Sequence, residues 1–119
     1  MRHKHSNRIL GRTSRDRTHL LQNLTSSLLE HGSIVTTEAK AKELRKHIEP
    51  LISRAKLEMT LPNRRVLLSR LMHKTDLLRL TDIAKANSKR PGGYIRLTRL
   101  PITRTDAARE MRVDIIDTK

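Results

Sequence analysis

Whatever interior this chain builds, it must build almost without aromatic rings. Its 119 residues include no Phe and no Trp, and Tyr94 is the single aromatic side chain. An aromatic side chain buries roughly 150–250 Å² in an ordinary core, so here the interior must come from Leu, Ile, Val, Ala and Met. Hydrophobic residues make up 35% of the sequence, against the roughly 45–50% of a typical soluble domain. The expected core is therefore small and aliphatic, and the length suits one compact domain.

The aliphatic residues recur mostly at helical spacing. Residues 1–13 read as an extended basic arm and residues 14–119 as a single α+β domain, about four helices followed by a small antiparallel sheet. Ser14 is placed to cap a first helix, with Asp16 in its first turn. Leu20, Leu21, Leu24 and Leu28 form its apolar side, and Gly32 is its C-cap. Ile34 to Thr37 reads as a short extended stretch. A second helix starts at Glu38 and buries Ala41, Leu44, Ile48, Leu51, Ile52 and Ala55. Its opposite face carries Lys40, Lys42, Arg45 and Lys46, and Pro50 predicts a kink. Leu61-Pro62-Asn63 reads as a break before a third helix over 64–73. A fourth helix restarts at Thr75 and Asp76, with Leu77, Leu78, Leu80 and Ile83 as its apolar side. The breaker-rich run 88–93 then leads to two strands, Tyr94–Leu100 and one around Met111, Val113 and Ile115. These strands are expected to pair antiparallel, with Ile34–Thr36 as a candidate third member.

Charge narrows the function. Lys and Arg number 26 against 12 acidic residues, a formal net charge of +14. Such a surplus destabilises a compact chain by self-repulsion, so it implies a polyanionic partner, most commonly nucleic acid. There is no cysteine, which excludes disulfides, thiolate zinc sites and a cysteine nucleophile. No glycine-rich loop ends in Gly-Lys-Ser/Thr. Asp106, Glu110 and Asp114 stand among arginines, where surface pairing explains them. No catalytic residue, cofactor or metal is expected, and His3 and His5 read as hydrogen-bonding members of the arm. No apolar run approaches the ~18 residues of a membrane span.

Four groups are candidate RNA contacts. The arm and the start of the first helix supply Arg2, His3, Lys4, His5, Arg8, Arg12, Arg15 and Arg17; its arginines can each hold phosphate through two parallel hydrogen bonds. The second helix offers Lys40, Lys42, Arg45 and Lys46, for which a solvated face laced by a Glu38–Lys42 pair is the plainer explanation. Arg64 and Arg65 are expected at a helix start, where free backbone N–H groups also favour an anion. Lys89, Arg90, Gly92, Gly93, Tyr94 and Arg96 combine bare backbone with charge, and Tyr94 could stack on a base, or else pack on the sheet. One tyrosine cannot make a base-stacking platform, so backbone and shape are the expected objects of recognition.

Several segments together resemble one family, the bacterial large-subunit ribosomal protein L-seventeen. They are MRHKHSNRILGRTSRDR at the start, LLEHGSIVTTEAKAKELRKHIEPLISRAK, NRR at 63–65, RPGGYIR at 90–96 and RTDAAREM at 104–111. They occur in the family's order over nearly the whole chain. The last loop departs from the family pattern, with Thr105 in place of a glycine and Arg109 in place of a proline. The resemblance implies an α+β fold set against large-subunit rRNA near the peptide exit region, with neighbouring large-subunit proteins as partners. It implies a structural role without catalysis, no membrane, no homo-oligomer, and a ribosome of the cytoplasm or of an organelle. On the residues alone, a DNA-binding nucleoid-type protein and a basic module for an acidic protein or anionic membrane remain alternatives.

Overall fold

The computed structural model describes Met1 and residues 3–116. Its first helix, α1 (Ser14–His31), is capped one residue earlier than the sequence suggests. Thr13 Oγ1 accepts from the Asp16 backbone N–H at 3.3 Å and donates to the Asp16 carboxylate at 2.7 Å. Asp16 thus serves both the cap and the positive end of the helix dipole. Gly32 ends the helix in the left-handed region (φ 75°), its N–H donating to Leu28 O at 2.8 Å. The chain then enters β1 (Ser33–Thr37) and goes straight into α2 (Glu38–Ala55).

α2 is the centre of the molecule. The six apolar residues expected on its inner face are all buried, with Ile48 and Ile52 fully so. It packs against α1, the later helices and the sheet. The helix runs through Pro50 as one element. The lost hydrogen bond is tolerated because Ile48, Leu51 and Ile52, on both sides of the proline, are locked into the core.

Leu61-Pro62-Asn63 is not a break but the first turn of α3 (Leu61–Arg70). Thr60 caps it, accepting from Asn63 N–H, and Pro62 sits where a helix has no intrahelical donor to lose. α3 ends at Arg70, because Leu71 turns extended and drops its side chain into the core. α4 (Lys74–Ala86) follows, with the Asp76 carboxylate accepting from His73 N–H at 3.3 Å. Leu77, Leu80 and Ala84 are buried, whereas Leu78, expected on the same side, faces outward.

Two strands complete the fold, β2 (Ile95–Arg99) and β3 (Glu110–Ile115). The sheet is antiparallel with order β1-β3-β2, so the extended stretch before α2 does join it. Val113 lies opposite both Ile34 and Leu97, and this row faces the helices. Arg96, Thr98 and Arg112 are exposed. Tyr94 does not share their face: it precedes β2 and is buried. The result is an α+β architecture of four helices and a three-stranded antiparallel sheet among the described residues.

Candidate nucleic-acid interface

The described part of the arm is bent rather than extended, with Lys4, Leu10 and Gly11 all at positive φ. It is also tied down. Arg8 Nη1 donates to Glu43 Oε1 of α2 at 2.9 Å, and Lys46 Nζ donates to the same oxygen at 3.0 Å. Lys46 Nζ also donates to Ser6 O at 2.9 Å. Glu43 is nearly buried, its side chain 7% exposed, while Arg8 and Lys46 remain partly exposed. Burial pushes the Glu43 carboxyl pKa up, but the hydrogen bonds from Lys46 and Arg8 outweigh this and hold it below its ordinary value. A carboxylate therefore persists beneath two solvent-facing cations.

Arg8 occupies a crossroads. On one side Arg8, Lys42, Arg45 and Lys46 border a hollow with Leu97. On a second side Arg8 and Lys42 meet Arg109 across the start of α2. On the third a recess lies between the arm, α1, α2 and α3, where Arg8, Arg17, Lys46 and Arg70 converge around His47. Of the expected residues, the structure thus gathers Arg8, Arg17, Lys42, Arg45 and Lys46. It adds Arg70 and Arg109, which single-segment reading missed because neither belongs to a basic run; only their position in the fold brings them to α2.

His47 is partly buried in this surface, and burial followed by the nearby Arg70 charge lowers its pKa. Its Nδ1 lies 3.2 Å from Thr25 Oγ1. That hydroxyl donates its hydrogen to Leu21 O at 2.8 Å, which assigns the proton of the second contact to Nδ1.

Other expected residues stand apart. Lys40 does not share the face of Lys42 and Lys46: two residues from Lys42 on a 3.6-residue turn, it points roughly 160° away. Lys42 itself donates to Glu38 at 2.7 Å, the helix pair anticipated as the plainer explanation. Hydrogen bonding to Lys42, partly offset by desolvation, lowers the Glu38 pKa. Arg64 and Arg65 are exposed on α3, in its fourth and fifth positions, and Arg64 N–H is already bonded to Thr60 O at 2.9 Å. The free N–H donors expected beside them are therefore not there. His3, Lys4, His5, Arg12 and Arg15 are exposed, with Arg12 donating to Leu10 O at 2.7 Å. Arg2 lies outside the described residues.

The turn before β2 packs at the C-terminal end of α2. Tyr94 is 2% exposed, its hydroxyl accepting from Lys56 at 3.0 Å and donating to Arg90 O at 3.3 Å. Lys56 Nζ also lies 5.1 Å from the centre of the ring. Stacking on a base is thus closed to Tyr94, because the ring fills the gap left by a core without Phe or Trp. Lys89 and Gly92 are exposed, and Gly93 takes the positive φ (66°) that the turn requires. Arg90 Nε is buried without a partner among the described residues. Arg96 is exposed and lies opposite Asp114.

The acidic residues of the last loop and β3 are paired as expected. Arg104 lies 3.8 Å from Asp106 and 3.9 Å from Glu110, and Arg112 lies 3.1 Å from Asp114. Among the described residues no cluster of three or more His, Asp or Glu could hold a metal ion, and no helix is long and apolar enough to cross a membrane.

A family model for ribosomal protein L17 matches residues 20–116, from within α1 to the residue after β3. The chain is also similar to the large ribosomal subunit protein bL17 of Sphingopyxis alaskensis. The two are 44% identical over 118 residues, which cover 98% of this chain and 84% of that relative. With every helix and strand inside that alignment, and identity at this level, the chain belongs to the ribosomal protein L17 family.

Proposed function

We propose that this chain is a structural constituent of the large ribosomal subunit and holds folded ribosomal RNA through its phosphate backbone. The observation that carries the reading is the meeting of cations from the arm, α1, α2 and α3 on one surface of a molecule with net charge +14. Arginine and lysine there neutralise phosphates, so RNA segments that would repel one another can approach. With its only aromatic ring buried, the protein has no platform for unstacked bases. Shape and charge of folded RNA are then what it recognises. The role is non-catalytic and needs no cofactor. Exposed apolar side chains such as Leu57, Leu61 and Ile102 suit neighbouring ribosomal proteins better than phosphate.

Replacing Arg2, Lys4, Arg8 and Arg12 together by Ala tests this. Affinity for a large-subunit rRNA fragment should fall, and the slope of log K against log salt should become shallower by several units, about one per lost phosphate contact. An unchanged slope removes the arm from the interface. In lysate, the protein should travel with the large subunit on a density gradient and be released by RNase and not by DNase. The opposite nuclease result would favour a DNA-binding role.

A further inference from the structure

We propose that the recess bounded by Arg8, Arg17, Lys46 and Arg70 is a preformed single-phosphate subsite, and that Glu43 is the residue that positions it. The inference rests on the rRNA reading above and deepens it. Four cations from four separate segments line one recess. Like charges gathered this closely repel, and without a restraint the arm would swing away. Glu43 supplies the restraint. One buried carboxylate oxygen holds both Arg8 and Lys46, and Lys46 in turn holds the arm backbone at Ser6.

The same oxygen receives both bonds, at 2.9 and 3.0 Å, so the carboxylate fixes two cations while covering neither. Arg8 is 43% and Lys46 46% exposed, leaving donors free to meet an incoming phosphate. Arg17 steadies the arm further by donating to Ile9 O at 3.4 Å. Arg70 stands at the end of α3, where a cation also complements the helix dipole. The arm is thus ordered on its own domain before RNA arrives, which lowers the entropy that binding must otherwise overcome.

Glu43→Gln separates positioning from simple charge by the sign of its effect. The substitution makes the protein more positive by one charge, so attraction alone predicts tighter rRNA binding. Positioning predicts weaker binding, on the order of tenfold, together with several-fold faster trypsin cleavage after Arg8 and Arg12 in the free protein. In an Arg8→Gln background the Glu43→Gln effect on RNA binding should shrink without vanishing, because Glu43 acts through both Arg8 and Lys46. Binding that is unchanged or tighter, or an unaltered cleavage rate, overturns the role of Glu43.

The subsite has its own test, in a variant whose exposed position spares the fold. Arg70→Gln should lower the salt slope by about one, and Lys85→Gln, exposed on α4 outside the recess, should lower it less. Equal effects from the two overturn the subsite. Inorganic phosphate titrated into the free full-length chain should shift the NMR signals of Lys46, His47 and Arg70 before others. Uniform shifts, or shifts centred elsewhere, count against the recess even if rRNA binds. Localised shifts without rRNA binding would instead leave the recess standing and defeat the ribosomal reading.

Discussion

His47 illustrates how one side chain can tie stability to pH. Its neutral form is favoured by burial and by Arg70, so the unfolded chain binds a proton more readily than the folded one. Stability therefore rises with pH through this window and is lost as pH falls below about 6.5, toward the lowered folded value. A denaturation series between pH 5 and 7 should show this decline, and His47→Gln should flatten it; a slope equally steep in the variant would assign the effect to another group. Glu43 and Asp114 act lower on the scale. Both are depressed, Glu43 because hydrogen bonds outweigh its burial and Asp114 chiefly through the bond from Ser33 at 2.6 Å. Their contributions are fully present above the ordinary carboxylate range and are lost as pH falls below it, through their lowered folded values. None of this was legible in the sequence, where His47 is one more polar residue in a helix. The same is true of Tyr94: composition marks it as unique but does not say whether a unique ring fills a core or serves a ligand.

Helix α2 shows what periodicity does reveal and where it stops. Its six buried apolar positions follow from spacing alone, because burial of a stripe is what a 3.6-residue repeat encodes. Pro50 predicts a bend, and α2 runs through it as one element. The proline still leaves the Lys46 carbonyl without its helical donor. Pro50 is exposed, so alanine there restores the bond without disturbing the core. A helix-interior proline costs about 3 kcal/mol, and its stiffening of the unfolded chain returns up to about 1 kcal/mol. Pro50→Ala should accordingly raise the unfolding free energy by about 1–2 kcal/mol, seen as a higher midpoint in urea at constant slope. A lower midpoint would mean that the proline is needed for the local geometry. The start of α3 is ambiguous in sequence for a related reason. Thr60 followed by Pro62 is a helix-start signal as readily as a stop, and only Thr60 accepting from Asn63 N–H decides between them. Basic residues in runs are visible in the sequence itself, whereas Arg70 and Arg109 meet Arg8 through long-range folding that no local pattern announces.

A net charge of +14 on a chain this small has two opposite salt dependences. In the free protein, added salt screens self-repulsion and should raise the thermal midpoint modestly. In the complex, the same salt should weaken rRNA binding steeply, by about 10³ to 10⁵ between 50 and 200 mM if six to ten phosphates are held. Thermal scans and binding isotherms over one salt series check both signs together; a free protein indifferent to salt would show that its internal pairs, such as Arg8 with Glu43, already balance the surplus. Bound rRNA at 100 times its dissociation constant should add about 2.7 kcal/mol to stability, which matters for a fold whose interior contains a single aromatic ring.

The order of the sheet carries a consequence for how the molecule is made. β3 lies between β1 and β2, so neither of the earlier strands has a neighbour to bond with until the final strand has been synthesised. A nascent chain stopped in the loop before Glu110 would lack the buried Met111 and Val113 and leave both β1 and β2 unpaired, and unpaired strands are prone to aggregate. The sheet can therefore close only once the chain extends through β3.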